Sequence, residues 1–377
     1  MGAWMLLALL TLVGDWCGRC YGCLEEEGIG LLEIKALIDP NSIYMGDQSY
    51  DLPIKHLHWV EYSSNCCEWS GIECDNTTGR VIRLSLQHAR DQRLGDWVLN
   101  ASLFLPFKEL QSLDLGYNGL VGCSENEGRF NASVLLSCFD VSLPGFEVLP
   151  SKLEVLDLSE NRFNDDKGIL SCFNGFSSLK SLDLSYNEVT GSASVRLFPS
   201  NMLNFEKHHA GLKVLSSRLN NLENLYLIGN QCNDSIFSSI TGFSSLKSLD
   251  LSYNEVTRSG LKVLSSRLKK LENLDLSSNQ CNDSIFSSLT GFSSLKSLDL
   301  SDNQLTGSGL KVLSSRLKKL ENLYLRDNQF NDSIFSSLTG FSSLKSLDLS
   351  DNQLTGSSTG INSKLHSLKK IEDFIST

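Results

Sequence analysis

The chain has 377 residues, 41% hydrophobic and 20% charged, with a formal net charge of −11. The hydrophobic share excludes a disordered polymer. The acidic balance excludes a general nucleic-acid binder, which needs a basic footprint.

The first 22 residues read MGAWMLLALLTLVGDWCGRCYG. Ala3 to Val13 is an apolar core too short to span a bilayer, and small residues place a cleavage site after Gly22. This predicts a secretory signal peptide over 1–22, although the usual basic start is missing. No later run reaches the ~18 apolar residues of a membrane span. The expectation is a secreted, extracellular chain with no membrane span of its own, or a cell-surface one if the native chain continues into a transmembrane helix.

Residues 23–80 read as a cap. CLEEEGIGLLEIKALIDP predicts an amphipathic helix burying Leu31, Leu32, Ile34, Leu37 and Ile38. Four cysteines follow the helix or open it: Cys23, Cys66, Cys67 and Cys74. Three pairings exist. The adjacent Cys66 and Cys67 are not expected to pair with each other, and Cys23–Cys66 with Cys67–Cys74 is the favoured solution. A zinc site is the other chemistry for such a group, but thiols oxidise outside the cell. Of eleven cysteines, Cys17 and Cys20 leave with the leader, so an odd number remains.

From residue 81 to 360 one pattern repeats. GFSSLKSLDLS begins at Gly175, Gly242, Gly291 and Gly340. Leu225, Leu274 and Leu323 are 49 residues apart, and residues 225–273 and 274–322 agree at 41 of 49 positions. Each unit holds two half-repeats of the form L-x-x-L-x-L-x-x-N, such as LENLYLIGN and LKSLDLSYN. The alternation L-x-L predicts a short strand with one buried face, and the Asn a tight turn whose side chain bonds stranded backbone groups. One such coil cannot bury its leucines alone, whereas stacked coils can, with the strands paired in parallel.

Strands are expected at Leu84, Leu113, Leu156, Leu182, Leu225, Leu249, Leu274, Leu298, Leu323 and Leu347, giving about ten coils. A partial last repeat without a C-terminal cap occupies 361–377. GLKVLSSRLKKL places Leu261, Leu264, Leu268 and Leu271 on one helical face. SIFSSLTGFSSL buries Ile285, Phe286, Leu289, Phe292 and Leu295. Arg267, Lys269 and Lys270 are expected on the convex surface as a solvated face. Two stretches, 129–145 and 193–210, carry none of the repeat leucines and read as inserted loops or as retained introns.

CCEWSGIEC with its preceding helix, followed by LDLSxN coils, resembles the cap and repeats of plant leucine-rich-repeat receptor-like proteins. The resemblance covers nearly all of the mature chain. It implies an α/β repeat solenoid, a horseshoe with a parallel concave β-sheet and a disulfide-bonded N-terminal cap. It also implies extracellular recognition of a peptide or protein, with signalling through a partner or co-receptor kinase in defence or development. Secreted relatives, the polygalacturonase-inhibiting proteins, imply an alternative: inhibition of a microbial wall-degrading enzyme. A truncated receptor fragment without activity is a third reading. Gly28 and Gly30 stand where this cap helix usually has Arg and Ala.

No P-loop, kinase signature, G-x-S-x-G or H-E-x-x-H occurs. His208-His209 and Asp165-Asp166 read as loop and turn, so no enzyme activity, cofactor or metal is expected. Cys232 and Cys281 stand where other units have Val256, Leu305, Phe163 or Phe330, and read as core fillers two coils apart, too far to bond. Cys123–Cys138 is a further candidate pair. Glycosylation sequons fall at Asn76, Asn100, Asn131, Asn233, Asn282 and Asn331, the last three at one place in the unit.

Side chains between the buried leucines are expected on the concave face. One column reads Asp114, Asp157, Asp183, Tyr226, Asp250, Asp275, Asp299, Tyr324, Asp348. Its aspartates read as backbone caps or as an acidic stripe. Residues that break the repeat are the ligand-contact candidates: Tyr186, Tyr226, Ile228, Tyr253, Tyr324 and Arg326.

Overall fold

The computed structural model describes residues 23–38, 59, 65–124, 151–164, 176–190, 211–258, 260–355 and 370–371. The expected leader, both inserts, His208-His209, Asp165-Asp166, Asn131, Cys138 and Cys172 lie outside those residues.

An isolated L-x-L triplet cannot hold itself extended, so each strand exists through its neighbours. The ten expected triplets are all strands: β2 (Val81–Ser85), β4 (Ser112–Asp114), β6 (Val155–Asp157), β7 (Ser181–Asp183), β8 (Asn224–Tyr226), β9 (Ser248–Asp250), β10 (Asn273–Asp275), β11 (Ser297–Asp299), β12 (Asn322–Tyr324) and β13 (Ser346–Asp348). They pair in parallel and in perfect leucine register, Leu274 opposite both Leu249 and Leu298. β1 (Ile72–Cys74) closes one edge antiparallel and β14 (Lys370–Ile371) follows β13, making a 12-stranded sheet. β3 (Trp97–Asn100) and β5 (Leu120–Ser124) form a small parallel pair beyond the turn.

Behind the sheet the leucines make one continuous core, from Leu31 in the cap to Leu349. A buried asparagine at each turn stitches successive coils. Asn254 donates to the carbonyls of Leu227 (2.9 Å), Leu251 (3.1 Å) and Ser252 (3.0 Å), and accepts from the Cys232 amide (2.9 Å). Leu227 and Cys232 belong to the preceding coil. The same pattern recurs at Asn161, Asn187, Asn230, Asn279, Asn303, Asn328 and Asn352. Backbone groups that a turn leaves unpaired are thereby satisfied without water.

From Gly211 onward the return segments alternate between a longer helix, as in α2 (Gly211–Arg218) and α4 (Leu261–Arg267), and a shorter one, as in α3 (Ile236–Ile240) and α5 (Ile285–Leu289). The expected helical face is shorter than its periodicity: α4 stops at Arg267, because Leu268 leaves helical geometry (φ −85, ψ 70). Leu268 and Leu271 are still buried, but the chain carries them to the core after the helix has ended. Arg267, Lys269 and Lys270 are exposed.

Gly242, Gly291 and Gly340 open the repeated stretch for a packing reason. A Cβ on Gly242 would lie 2.5 Å from the Ser216 carbonyl oxygen, and one on Gly291 would lie 2.4 Å from Ser265 Oγ. Only glycine lets each short-helix segment press against the preceding longer helix.

In the cap, α1 (Glu25–Ile38) buries Leu31, Ile34 and Ile38. Leu32 is half-buried and Leu37 is 49% exposed, so the expected apolar face is narrower than drawn. The buried Glu27 takes an inward place, 3.5 Å from Arg80 Nη1 and accepting from the Val81 amide at 3.2 Å; burial pushes its carboxyl above the usual range. Gly30 is the point of contact with the first coil, since a Cβ there would come within 3.0 Å of Pro106. Disulfides join Cys23 to Cys66 and Cys67 to Cys74.

Candidate ligand-binding face

The residues on either side of each central strand leucine, such as Ser248 and Asp250 around Leu249, lie on the sheet face opposite the leucine core, and the turn follows them. The residue after the leucine supplies the aspartate column. These carboxylates first serve the backbone: Asp183 accepts from the Ser185 amide at 2.8 Å, Asp250 from Ser252 at 3.0 Å, and Asp299 from Ser301 at 2.8 Å. They also remain a stripe of like charge. Burial, with Asp275 and Asp250 nearby, pushes the Asp299 carboxyl up to about 6. Burial raises Asp183 and Asp250 too, and neighbouring aspartates add to each shift.

The six sequence-derived contact candidates fall into two groups. Tyr226 interrupts the column between Asp183 and Asp250, with Ile228 on the same coil. Tyr186 and Tyr253 occupy the turns of the coils on either side, 53% and 61% exposed. Tyr324 and Arg326 stand four strands away, ~19 Å at the usual spacing. Arg326 reaches Asp351 at 2.9 Å and Asp327 at 3.3 Å. Tyr226, Ile228 and Tyr324 are half-buried, because coil stacking covers their flanks.

Sequence reasoning singled out Tyr186 and Tyr253 but not the row they belong to, and missed a second row altogether. The first is the turn residue with positive φ, present in every coil: His88, Tyr117, Glu160, Tyr186, Gly229 and Tyr253, continuing through Ser278 to Asp351. It changes from aromatic to acidic along the solenoid. From Tyr117 on, the signal was the residue before each ladder asparagine. The other row lies at the entrance of each strand and alternates in charge. Lys180 pairs with Glu154 (2.7 Å), Lys247 with Glu223 (2.8 Å), Lys296 with Glu272 (2.8 Å) and Lys345 with Glu321 (2.7 Å). Exposed pairs of this kind contribute about 0–1 kcal/mol each.

Cys232 and Cys281 are fully buried and join no disulfide; burial pushes the Cys281 thiol up to about 12. Asn76, Asn233, Asn282 and Asn331 are exposed, whereas Asn100 is half-buried and accepts from the Ser102 amide. Among the described residues no group of His, Cys, Asp and Glu could hold a metal ion, and no helix is long and apolar enough to cross a membrane.

Parallel triplets in leucine register, an asparagine ladder and a disulfide-bonded cap define a leucine-rich-repeat solenoid. Family models described as leucine rich repeat match residues 244–305, 177–193, 342–358 and 319–341. Cuscuta receptor 1 of Solanum lycopersicum is 34% identical over 256 residues, covering 62% of this chain and 20% of that protein. Receptor like protein 21 of Arabidopsis thaliana is 33% identical over 258 residues, covering 67% and 22%. The crystal structure of a plant ice-binding protein shares the fold, with TM-score 0.51, 22% identity and 88% coverage of both chains. The chain carries leucine-rich repeats and is similar to plant receptor-like proteins. It spans about a fifth of the length of the curated relatives it matches.

Proposed function

We propose that this chain is an extracellular recognition module that binds a peptide or protein on its concave sheet and signals through a partner kinase in defence or development. It is read as a binding protein, not an enzyme. One observation carries the reading. Residues 225–273 and 274–322 differ at eight positions, and four of these, 226, 228, 229 and 253, lie on the concave strand and turn rows. Change between near-identical units is concentrated where a partner would touch. The differences introduce Tyr226, Ile228 and Tyr253 in place of Asp, Ser and Asp, which are the residue types of an interface anchor.

The test uses the chain's own second unit as the control. The triple variant Tyr226→Asp, Ile228→Ser, Tyr253→Asp restores residues that the next unit already tolerates. Immobilised wild-type chain is expected to retain components of a secreted plant peptide fraction that the triple variant releases. Equal retention by both would remove the concave face from the proposal.

The aspartate column supports a second reading, inhibition of a microbial wall-degrading enzyme with a basic surface. Its mark is binding that falls steeply with moderate salt. Secretion also implies glycans at the exposed Asn233, Asn282 and Asn331, along one flank. A mass shift on enzymatic deglycosylation, mapped to these asparagines, checks it.

A further inference from the structure

Register places Leu113, Leu156 and Leu182 side by side on β4, β6 and β7. Four residues further on, Tyr117, Glu160 and Tyr186 therefore stand in one row on three successive coils, all three with φ between 53° and 58°. They line a hollow on the turn edge together with Gly119, Asn161 and Arg162. Both rings are braced from outside. His88 packs edge-on against Tyr117, centroids 4.5 Å apart. The Tyr186 ring lies over Gly229, so close that a Cβ there would be 2.5 Å from two ring carbons. Glu160 is left between them.

One other charge lines the hollow, that of Arg162, and its partner Asp96 stands outside the lining. Arg162 Nη1 is held by Asp96 Oδ1 at 2.9 Å. Asn161 is committed to the ladder, donating to the carbonyls of Leu115, Leu158 and Ser159. Among the described residues Glu160 has no ion pair, so the hollow keeps one uncompensated negative charge between two aromatic walls. The walls are two coil spacings apart, and a group seated midway would be about 5 Å from each, within the ~6 Å reach of a cation–π contact.

We propose that Tyr117, Glu160 and Tyr186 form a binding site for one cationic side chain, an arginine or a lysine, presented by a partner polypeptide. The rings hold the flat or apolar part of the side chain and the carboxylate takes its charge. The site is on the turn edge and stands whether or not the sheet face binds a ligand.

The experiment is ligand-observed saturation-transfer NMR on the purified chain with acetyl-arginine amide, acetyl-lysine amide and acetyl-citrulline amide, the last matching arginine in shape without its charge. Arginine and lysine probes should saturate, with citrulline about tenfold weaker. Glu160→Gln should weaken arginine binding about tenfold, and Tyr186→Ala should weaken all cationic probes while leaving the packed core intact. The triple concave variant should bind the arginine probe as wild type does. Equal binding of citrulline, an unaffected Glu160→Gln variant, or no saturable signal would overturn the site. Loss of arginine binding in the concave variant would also overturn it, by moving the contact to the sheet.

Discussion

Asn254 carries four hydrogen bonds on one small side chain, three donated and one accepted. Replacing it with alanine leaves carbonyls and an amide stranded in an apolar interior. Asn254→Ala is expected to cost about 3 kcal/mol, read as a shift in the urea midpoint. The role of this residue was legible in the sequence, because L-x-x-L-x-L-x-x-N recurs and a short amide side chain can both donate to and accept from the backbone of a turn. The state of the aspartates was not. Asp299 is displaced from its ordinary 3.8 to about 6 by burial, which depends on coils distant in sequence. The folded chain holds that proton more tightly than the unfolded chain. Its contribution is therefore full below about 3.8 and is lost as pH rises through about 6. Asp299→Asn keeps the cap on Ser301 but removes the charge. It should raise the melting temperature at pH 7.5 and change it little at pH 4.

At the level of elements, glycine decides how closely one segment seats on the next. Gly242→Ala would drive a methyl into the Ser216 carbonyl, which is backbone and cannot swing aside. The expected cost is about 2 kcal/mol in thermal or urea unfolding. The repetition of this glycine was plain in the sequence, but its reason was hidden, because the atom it avoids belongs to the preceding coil. Leu268 and Leu271 illustrate the reverse case: their spacing extends a helical pattern although α4 has ended. The core asks only that leucines return to it, and a turn meets that demand as well as a helix. In the cap, two disulfides close loops of different span, with sequence separations of 43 and 7. Loop entropy ranks them: losing Cys23–Cys66 should cost about 4 kcal/mol and losing Cys67–Cys74 about 2.5 kcal/mol, by paired Cys→Ser variants.

Across the whole molecule each coil meets only its neighbours, so stability is a sum of coil and interface terms. Opening the cap should therefore be felt locally. After the Cys23 and Cys66 pair is removed, hydrogen exchange is expected to rise first in β1, β2 and β4, while β10 to β12 keep their protection. Uniform loss of protection would mean that the array unfolds as one unit. The solenoid itself was legible because its period is written many times. The hollow between Tyr117 and Tyr186 was not, since those residues lie 69 positions apart and become close only when coils stack.

The alternation of Glu and Lys at the strand entrances constrains how such a gene can change its length. Removing residues 225–273 deletes one coil of each kind and leaves every remaining Glu beside a Lys. Removing residues 249–273 alone would set Lys247 beside Lys296 and press two short helices together. The first deletion should give a shorter chain that still unfolds cooperatively, and the second a chain with a weakened joint, visible as a lower melting temperature. Unequal recombination is thus tolerated in steps of 49 residues and opposed in steps of 25, so the charge pattern acts as a ruler for the repeat number of the gene.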